Sequence, residues 1–186
     1  LNTWPTINRY DENGSVMTST TLASTTMSSP VGQLTIIASD AGLRAVLWPS
    51  DSPKRVPLGD VEPGDKHPVL SVAVTQLGEY FDGRRQDFDL PLDPTGTEFQ
   101  QSAWTALRTI PFGTTVSYGE QAEQMGDKRK ARAVGAANGR NPISIIVPCH
   151  RVVGSNGSLT GFAGGIDTKD WLLTHERRVS GHTLDL

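Results

Sequence analysis

A single cysteine, Cys149, among 186 residues excludes two common ways of stabilising a small fold. One thiol cannot form an internal disulfide, and it is too few for a zinc cluster built on cysteine. The chain must therefore rely on a hydrophobic core, and its length suffices for one domain or two small ones. Cys149 itself is left as a buried core residue, a reactive thiol or an intermolecular partner.

The composition is that of an ordinary globular protein, with 36% apolar and 20% charged residues. No stretch approaches the roughly 20 apolar residues that span a bilayer. The N-terminus also lacks the basic-then-apolar pattern of a signal peptide. Together with the lone thiol, these features predict a cytoplasmic protein without a membrane partner.

The charge is distributed unevenly along the chain. Residues 1–97 carry seven basic and twelve acidic side chains, whereas residues 98–180 carry ten basic and seven acidic ones. A polyanion, if one binds, is expected to meet the mildly basic second half. Chance asymmetry explains totals this small equally well on charge alone.

Residues 1–26 are polar, rich in Ser and Thr and without a period, which predicts a flexible N-terminal arm. Within it, Met17 is a candidate native start, with the preceding Gly14-Ser15 pair a cloning remnant. The last residues, 181–186, are predicted to form a short tail. The remaining chain is predicted to divide into residues 27–93 and residues 97–180.

The first of these regions predicts a small mixed α/β unit. Residues 33–38 and 43–48 alternate like strands around a short turn, which indicates a hairpin. Residues 50–66 are rich in Pro, Asp and Gly and are predicted to be a loop, whereas residues 67–81 have a helical period. Residues 88–92 are predicted to form another short strand before a turn at residues 93–96 that marks the domain boundary.

The second region is predicted to be mostly helical. Thr97-x-x-Gln100 and Ser117-x-x-Glu120 each have the capping-box pattern that opens a helix. A charged turn and a helix of small residues at 131–138 follow, and this outline is typical of a helix-turn-helix.

Further along the second region, residues 143–147 form an apolar run predicted to be a buried strand or extended segment. A glycine-rich loop at residues 154–165 follows. Asp167 is predicted to cap a last helix.

The pair Cys149-His150 is the candidate for chemistry. A free thiol has a pKa near 8.5, so a nucleophilic cysteine needs a base. On an extended segment, adjacent side chains point apart, so a bridging water would join the two, and Glu176 or Asp170 would orient the imidazole. The alternative is a buried cysteine beside a solvent-facing histidine, and for the pair taken alone that interpretation is favoured.

Several linked motifs resemble O6-alkylguanine-DNA alkyltransferases, in an order and spacing that hold over about residues 97–178. A weaker likeness covers parts of residues 29–43 and 76–83. The motifs are Val116-Ser117-Tyr118, Arg132-Ala133-Val134-Gly135, Asn141-Pro142, Pro148-Cys149-His150-Arg151-Val152, Gly161-Phe162-Ala163-Gly164-Gly165, and Trp171-Leu172-Leu173 followed by His175-Glu176.

The resemblance implies an α+β fold. A ribonuclease-H-like sheet-and-helix domain would precede a helical, winged-helix-like DNA-binding domain with a helix-turn-helix. The implied activity is DNA repair by direct reversal, in which the alkyl group of O6-alkylguanine, or of O4-alkylthymine, is transferred once to Cys149. Because the alkyl carbon is inaccessible within a duplex, the damaged base would be flipped out of the helix.

Catalytic roles are implied for five residues. Cys149 would accept the alkyl group, and His150, oriented by Glu176, would take its proton through water. Asn141 would brace the Cys149 segment. Tyr118 would hydrogen-bond the departing guanine and crowd the target phosphate.

Binding roles are implied for two further groups. A slim helix would bind the minor groove of double-stranded DNA through a surface that consists of Ala131, Arg132 and Ala133. The Arg132 side chain would enter the base stack, and Ser117 and Tyr118 would lie nearby. The substrate pocket would be lined by Pro148, Val152, Phe162, Ala163 and Gly164. The resemblance implies no cofactor and a monomer, and cooperative binding on DNA is left open.

This chain departs from the family pattern at a few positions. Phe162 stands where tyrosine is frequent, and Gln121 and Lys130 replace residues that are often apolar or small. A zinc site, seen in some relatives, is not implied because its cysteines are missing.

Three other functions fit parts of the sequence. They are a helix-turn-helix regulator that uses Arg132 only for binding, a Cys–His–Glu hydrolase, and a purely structural binding module.

Overall fold

The computed structural model describes residues 21–181 and has the expected α+β architecture. A sheet with one helix forms the first half, and a helical unit with a two-stranded sheet forms the second. The predicted tail, residues 182–186, and residues 1–20 of the predicted arm lie outside the described residues.

The first half is built on a four-stranded sheet in the order β3-β2-β1-β4. The predicted hairpin is confirmed as β2 (Gly32–Ser39) and β3 (Gly42–Leu47), which pair antiparallel with a bulge between Ile37 and Ala38. β1 (Leu22–Ser29) pairs antiparallel with β2. The prediction of a flexible arm was therefore wrong for residues 22–26, because backbone pairing with β2 orders this Ser- and Thr-rich segment.

Two other predictions in this half, one of a loop and one of a strand, were wrong in part or in whole. The predicted loop at residues 50–66 contains β4 (Val61–Pro63), a short edge strand that runs parallel to β1. Proline is tolerated there because an edge strand leaves one side of its backbone unpaired. Residues 88–92 form no strand, since only Leu92 makes a single bridge, to Leu43.

One helix, α1 (Pro68–Phe81), covers the sheet. Pro68 fits the first helical position because its missing N–H would be unpaired there anyway. The buried face of α1 packs against β1, β2 and β3, so the predicted period is confirmed. That face consists of Val69, Leu70, Ala73, Gln76, Leu77 and Tyr80.

Both predicted capping boxes are present. α2 (Glu98–Leu107) begins after Thr97, whose hydroxyl accepts from the Gln100 N–H while the Gln100 side chain accepts from the Thr97 N–H. α3 (Tyr118–Gln124) begins with the same reciprocal bonds between Ser117 and Glu120. A 3-10 turn (Lys128–Lys130) separates α3 from α4 (Ala131–Gly139), and α2, α3 and α4 pack on one another.

A buried polar pair fixes the angle between α3 and α4. Gln121 and Asn138 exchange side-chain hydrogen bonds of 3.2 and 2.7 Å, and Gln121 also donates to the Ala103 carbonyl of α2. Trp104 of α2 donates to the Ala137 carbonyl of α4. The outer face of α4 is thereby turned away from the core, as in a helix-turn-helix.

The apolar run at residues 143–147 is fully buried but is not the predicted strand. It forms a turn in which Ile145 has a φ of +72°, although Ile143 makes one bridge to Val46. A β-branched residue is rare in this conformation, which costs about 1–3 kcal/mol and persists only where the surrounding packing enforces it. The surrounding core therefore fixes the segment that leads into Cys149.

The chain closes with a small parallel sheet and a long helix. β5 (Val116–Ser117) pairs with β6 (Val152–Val153), which links the start of α3 to the residues after Cys149. α5 (Ile166–Ser180) begins after Gly165, so Asp167 lies in its first turn and is not the predicted cap. None of the helices within residues 21–181 is long and apolar enough to cross a membrane.

Candidate active site

Cys149 begins a 3-10 turn (Cys149–Arg151) that follows the buried segment just described. The premise of an extended segment was therefore wrong here, although Cys149 and His150 still have separate partners. Pro148, Cys149, His150 and Arg151 are all buried. The thiol is consequently held by its neighbours and does not move with a surface loop.

Asn141 fastens the thiol to the backbone around it. Its side-chain N–H groups donate to the Val147 carbonyl at 2.8 Å and to Cys149 Sγ at 3.2 Å, while its side-chain oxygen accepts from the Ile143 N–H at 3.0 Å. Burial raises the pKa of the Cys149 thiol, an effect that Asn141, Lys169 and Arg55 oppose. The resting group is thus a thiol whose anion already has stabilising partners.

His150 is joined to Glu176 inside the protein. Its Nε2 lies 2.7 Å from Glu176 Oε1, and both side chains are wholly buried. An ionised carboxylate only accepts hydrogen bonds, so this contact assigns the ring proton to Nε2. Nδ1 is buried and has no hydrogen-bond partner among residues 21–181, which leaves its lone pair available to accept a proton.

Glu176 is the centre of a wider set of contacts. Arg151 donates to it from Nε at 2.9 Å and from Nη2 at 3.1 Å, Tyr80 donates from its hydroxyl at 2.9 Å, and Gly113 donates from its N–H at 3.0 Å. We call His150, Arg151, Glu176 and Tyr80 the buried polar cluster. It draws side chains from α1, the 3-10 turn and α5 into one site.

The ionisation of the buried polar cluster follows from these contacts. Burial alone would raise the pKa of Glu176, but the hydrogen bond from His150 and the hydrogen bonds and charge of Arg151 lower that pKa well below its usual range. Burial lowers the pKa of His150 in spite of Glu176, and burial together with Glu176 raises the pKa of Tyr80. At neutral pH the cluster therefore holds an ionised Glu176, a neutral imidazole and a neutral phenol.

Lys169 is a site residue that the sequence predictions missed. Its Nζ is buried and donates to the carbonyls of Val152 at 2.6 Å and Thr160 at 3.1 Å. It also lies 5.8 Å from the ring centre of Tyr118 and 5.9 Å from that of Phe162. Burial lowers the pKa of Lys169, and Cys149 opposes this shift.

A sequence signal for Lys169 did exist. Lys169, Leu172 and Glu176 recur at spacings of three and four along α5, so all three lie on its core-facing side. A lysine on such a face needs a specific partner, because lysine is almost never fully buried without one.

Most of the residues predicted to line the pocket belong to the hydrophobic core that contains Cys149, or pack against that core. Tyr118 is half-buried and donates to the Thr160 carbonyl at 3.2 Å. Val152 is fully buried and pairs with Val116 of β5. Phe162 and Ala163 are half-buried and pack against the core in a loop (residues 161–165) that we call the pocket loop.

The helix surface predicted for binding lies apart from the buried polar cluster. On α4, Arg132 and Ala133 are exposed and Ala131 is half-buried, whereas Val134 is buried. We call the first three residues the α4 face. Ser117, predicted to lie near the same partner, uses its hydroxyl to cap α3.

The structure selects between the two carboxylates considered from the sequence. Glu176 meets His150 directly, whereas Asp170 is exposed on α5. Cys149, Asn141, His150 and Glu176 are thus brought together as predicted, and Arg151, Tyr80 and Lys169 are added to them.

Fold and site together define a two-part α+β protein with a buried thiol, a histidine–carboxylate pair and a neighbouring helix-turn-helix. Two family models match it: the 6-O-methylguanine DNA methyltransferase ribonuclease-like domain over residues 22–94, and the DNA-binding domain of the same family over residues 98–178. The chain belongs to this family, the methylated-DNA–protein-cysteine methyltransferases.

Similar proteins agree with the family models. A methylated-DNA–protein-cysteine methyltransferase of Mycolicibacterium paratuberculosis is 48% identical over 87% of this chain and 96% of its own length. One from Methanosarcina acetivorans is 47% identical over 80% of this chain and 94% of its own length. The crystal structure of Mycobacterium tuberculosis OGT in complex with DNA matches with a TM-score of 0.75 and 46% identity, over 85% of this chain and 93% of that one.

Proposed function

We propose that this protein repairs DNA by transferring the methyl group of O6-methylguanine to Cys149 Sγ. The observation that carries the proposal is the buried thiol beside a neutral His150, whose Nε2 is tied to an ionised Glu176 and whose Nδ1 is available as a base. The family models and the relative solved with DNA support the same activity.

In the proposed reaction, His150 Nδ1 takes the Cys149 proton through a water molecule, and Glu176 stabilises the imidazolium that forms. The thiolate attacks the methyl carbon, an S–C bond forms, and the bond from that carbon to guanine O6 breaks with its electron pair on the leaving guanine. The guanine anion is neutralised by the proton that the imidazolium returns through water. Lys169, which is held by two backbone carbonyls, stabilises the thiolate by its positive charge. The thioether product has no ready hydrolytic exit, so each molecule acts once.

The leaving guanine is proposed to be stabilised from two sides of the pocket. Tyr118, whose pKa is raised by burial, keeps its proton and hydrogen-bonds the base after giving up its contact with Thr160. Backbone groups of Cys149 and Val152 accept from the guanine amine, and the pocket loop offers an N–H to O6. Pro148, with the Phe162 to Gly164 part of the loop, walls the cavity.

DNA binding is proposed to use the α4 face in the minor groove. Its small residues allow close approach to the groove walls, and Arg132 fills the stack when the damaged base is flipped out. Ser117 and Tyr118, at the start of α3, would then lie near the phosphate backbone. O4-alkylthymine is a further proposed substrate, and a monomer is the proposed binding species.

The deciding experiment measures the intact mass of the protein after mixing with duplex DNA that carries one O6-methylguanine. We expect one added methyl group on Cys149, located by peptide mapping, with no further transfer beyond one equivalent. Cys149→Ala should lose all transfer while its DNA affinity is unchanged, because Cys149 is buried and is not part of the exposed α4 face. Methyl transfer by Cys149→Ala would overturn the proposal.

The rival functions give different results in the same system. Repeated turnover on an ester would favour a hydrolase, and strong binding to one undamaged sequence would favour a regulator. A cytoplasmic location and the separate roles of residues 27–93 and 97–180 stay predictions.

A further inference from the structure

Trp48 lies at the end of β3, in the first half of the chain, yet its ring contacts the pocket loop. Its indole packs edge-on against Phe162, with ring centres 5.5 Å apart and planes at 61°. A Cβ atom placed on Gly164 would lie 2.8 Å from Trp48 Cδ2 and Cε2. The ring thus supports the backbone of the loop directly, at a distance that only glycine permits.

The indole is held by packing and not by its polar atom. Trp48 is 97% buried, and its Nε1 has no hydrogen-bond partner among residues 21–181. A buried tryptophan usually finds an acceptor for this N–H, and leaving it unpaired is unfavourable. The size and shape of the ring are therefore the properties that this position uses.

The pocket loop has the freedom to move if this support is removed. Gly161 and Gly165 bracket it with φ of +52° and +88°, and a Cβ on either would meet nothing within 4 Å. Lys169 Nζ also lies near this loop, 5.9 Å from the centre of the Phe162 ring. The Trp48 ring and Lys169 thus contact Phe162 from the two halves of the chain.

Trp48 is also linked, through two further residues, to Asn141, which binds Cys149 Sγ. Its backbone N–H donates to Asp51 Oδ2 at 3.0 Å, and the Asp51 carboxylate pairs with Arg55. Arg55 in turn donates to the Asn141 carbonyl at 2.6 Å. One short segment, residues 48–55, therefore contacts both the pocket loop and the residue that holds Sγ.

We propose that Trp48 is a positioning residue that sets the depth of the alkyl pocket and so favours a small alkyl group over a bulky one. The inference rests on the proposed function and deepens it, since it names the group that determines which O6 substituent fits. Trp48 acts through the Gly164 backbone and does not touch the transferred carbon.

The test compares Trp48→Leu with Trp48→Phe on duplexes carrying O6-methylguanine or O6-benzylguanine. Trp48→Leu should lower the methyl-transfer rate constant by about tenfold to a hundredfold, because a shift of about 1 Å has effects of that size. Benzyl transfer should fall much less or rise, so that the benzyl-to-methyl ratio increases. DNA affinity should stay unchanged. The Trp48→Phe variant should retain most of the wild-type rate constant for methyl transfer.

The proposal is overturned if Trp48→Leu lowers both rate constants by the same factor, as a general folding defect would. A wild-type protein that transfers neither group would refute the proposed function itself, whatever Trp48 does. The two failures are therefore distinguishable within one set of measurements.

A double-mutant cycle gives an independent measurement. Gly164→Ala alone should slow methyl transfer, because its methyl group meets the indole. In Trp48→Phe the smaller ring leaves room, so the same Gly164→Ala change should cost less. Strictly additive effects would refute direct support of the loop by Trp48, even if Trp48→Leu fails to fold.

Discussion

The buried polar cluster and the α4 face differ in how much of the protein holds them in position. Glu176 accepts hydrogen bonds from Tyr80, Gly113, His150 and Arg151, whereas Arg132 is exposed at the protein surface. A buried carboxylate is stable only when its charge is compensated, so its neighbours are fixed in number and direction. An exposed helix face has no such requirement. Side chains are thus held by many contacts where bonds are proposed to change, and by few where DNA is proposed to bind.

The largest expected effect comes from removing the central charge of the buried polar cluster. In Glu176→Gln, the Arg151 guanidinium stays buried without its counter-ion, so the free energy of unfolding should fall by about 3–5 kcal/mol. Urea denaturation measures this free energy of unfolding. Methyl transfer should slow as well. The matched control is Asp170→Asn, an exposed carboxylate on α5, which should change stability by less than about 0.5 kcal/mol. Equal effects in both variants would refute the contrast.

The α4 face should show the opposite behaviour. Arg132→Ala removes the proposed wedge, so transfer from duplex DNA should slow about tenfold to a hundredfold, equivalent to about 1.4–2.7 kcal/mol. Reaction with free O6-benzylguanine should be unchanged, and so should stability to within about 0.5 kcal/mol. Arg129→Ala, in the preceding turn, is the control arginine. An equal loss of reaction with free O6-benzylguanine would show that Arg132 acts in the transfer step itself, and would contradict the separation of the α4 face from the reacting groups.

The smallest expected effect is a difference in pH dependence. Burial lowers the folded-state pKa of His150, so below about pH 6.5 the unfolded chain binds more protons than the folded one. The stability contributed by neutral His150 is therefore complete above that pH and is lost as pH falls toward the folded pKa. The depressed pKa of Glu176 adds a second loss that begins below about pH 4.3.

Thermal unfolding between pH 7.5 and 5.0 tests whether stability falls with pH in this way. His150→Gln should show a shallower loss of stability than the wild type, by up to about 1.4 kcal/mol per pH unit. Arg132→Ala should keep the wild-type slope, because the α4 face contributes no buried titrating group. A wild-type slope in His150→Gln would contradict the assignment of a buried neutral imidazole.

Local signals in the sequence predicted the helices well, together with the beginnings of α2 and α3, although the predicted cap of α5 was wrong. The bonds of Thr97 with Gln100 and of Ser117 with Glu120 lie within one helical turn, so residue order alone specifies them. The linked motifs likewise predicted that Cys149, His150 and Glu176 would meet. Their spacing carries information that the cysteine–histidine pair alone lacks.

Features that depend on distant partners could not be predicted in the same way. β4 forms in a segment rich in Pro and Gly only because β1 offers it a free edge. Residues 143–147 have the composition of a strand, but packing imposes a turn with Ile145 at positive φ. The hydrogen bond from Tyr80 to Glu176 joins residues 96 positions apart, and no local pattern specifies such a contact.

That hydrogen bond has a consequence for how the gene can evolve. Tyr80 belongs to the region that matches one family model, while Glu176 belongs to the region that matches the other. The Tyr80 ring also packs against Phe112 and His175 of the second region. A fragment that carried only the second region would expose these aromatic surfaces and leave a carboxylate without one of its donors. A recombinant that exchanges either half therefore keeps the buried carboxylate fully hydrogen-bonded only if these contacts between the two regions are preserved.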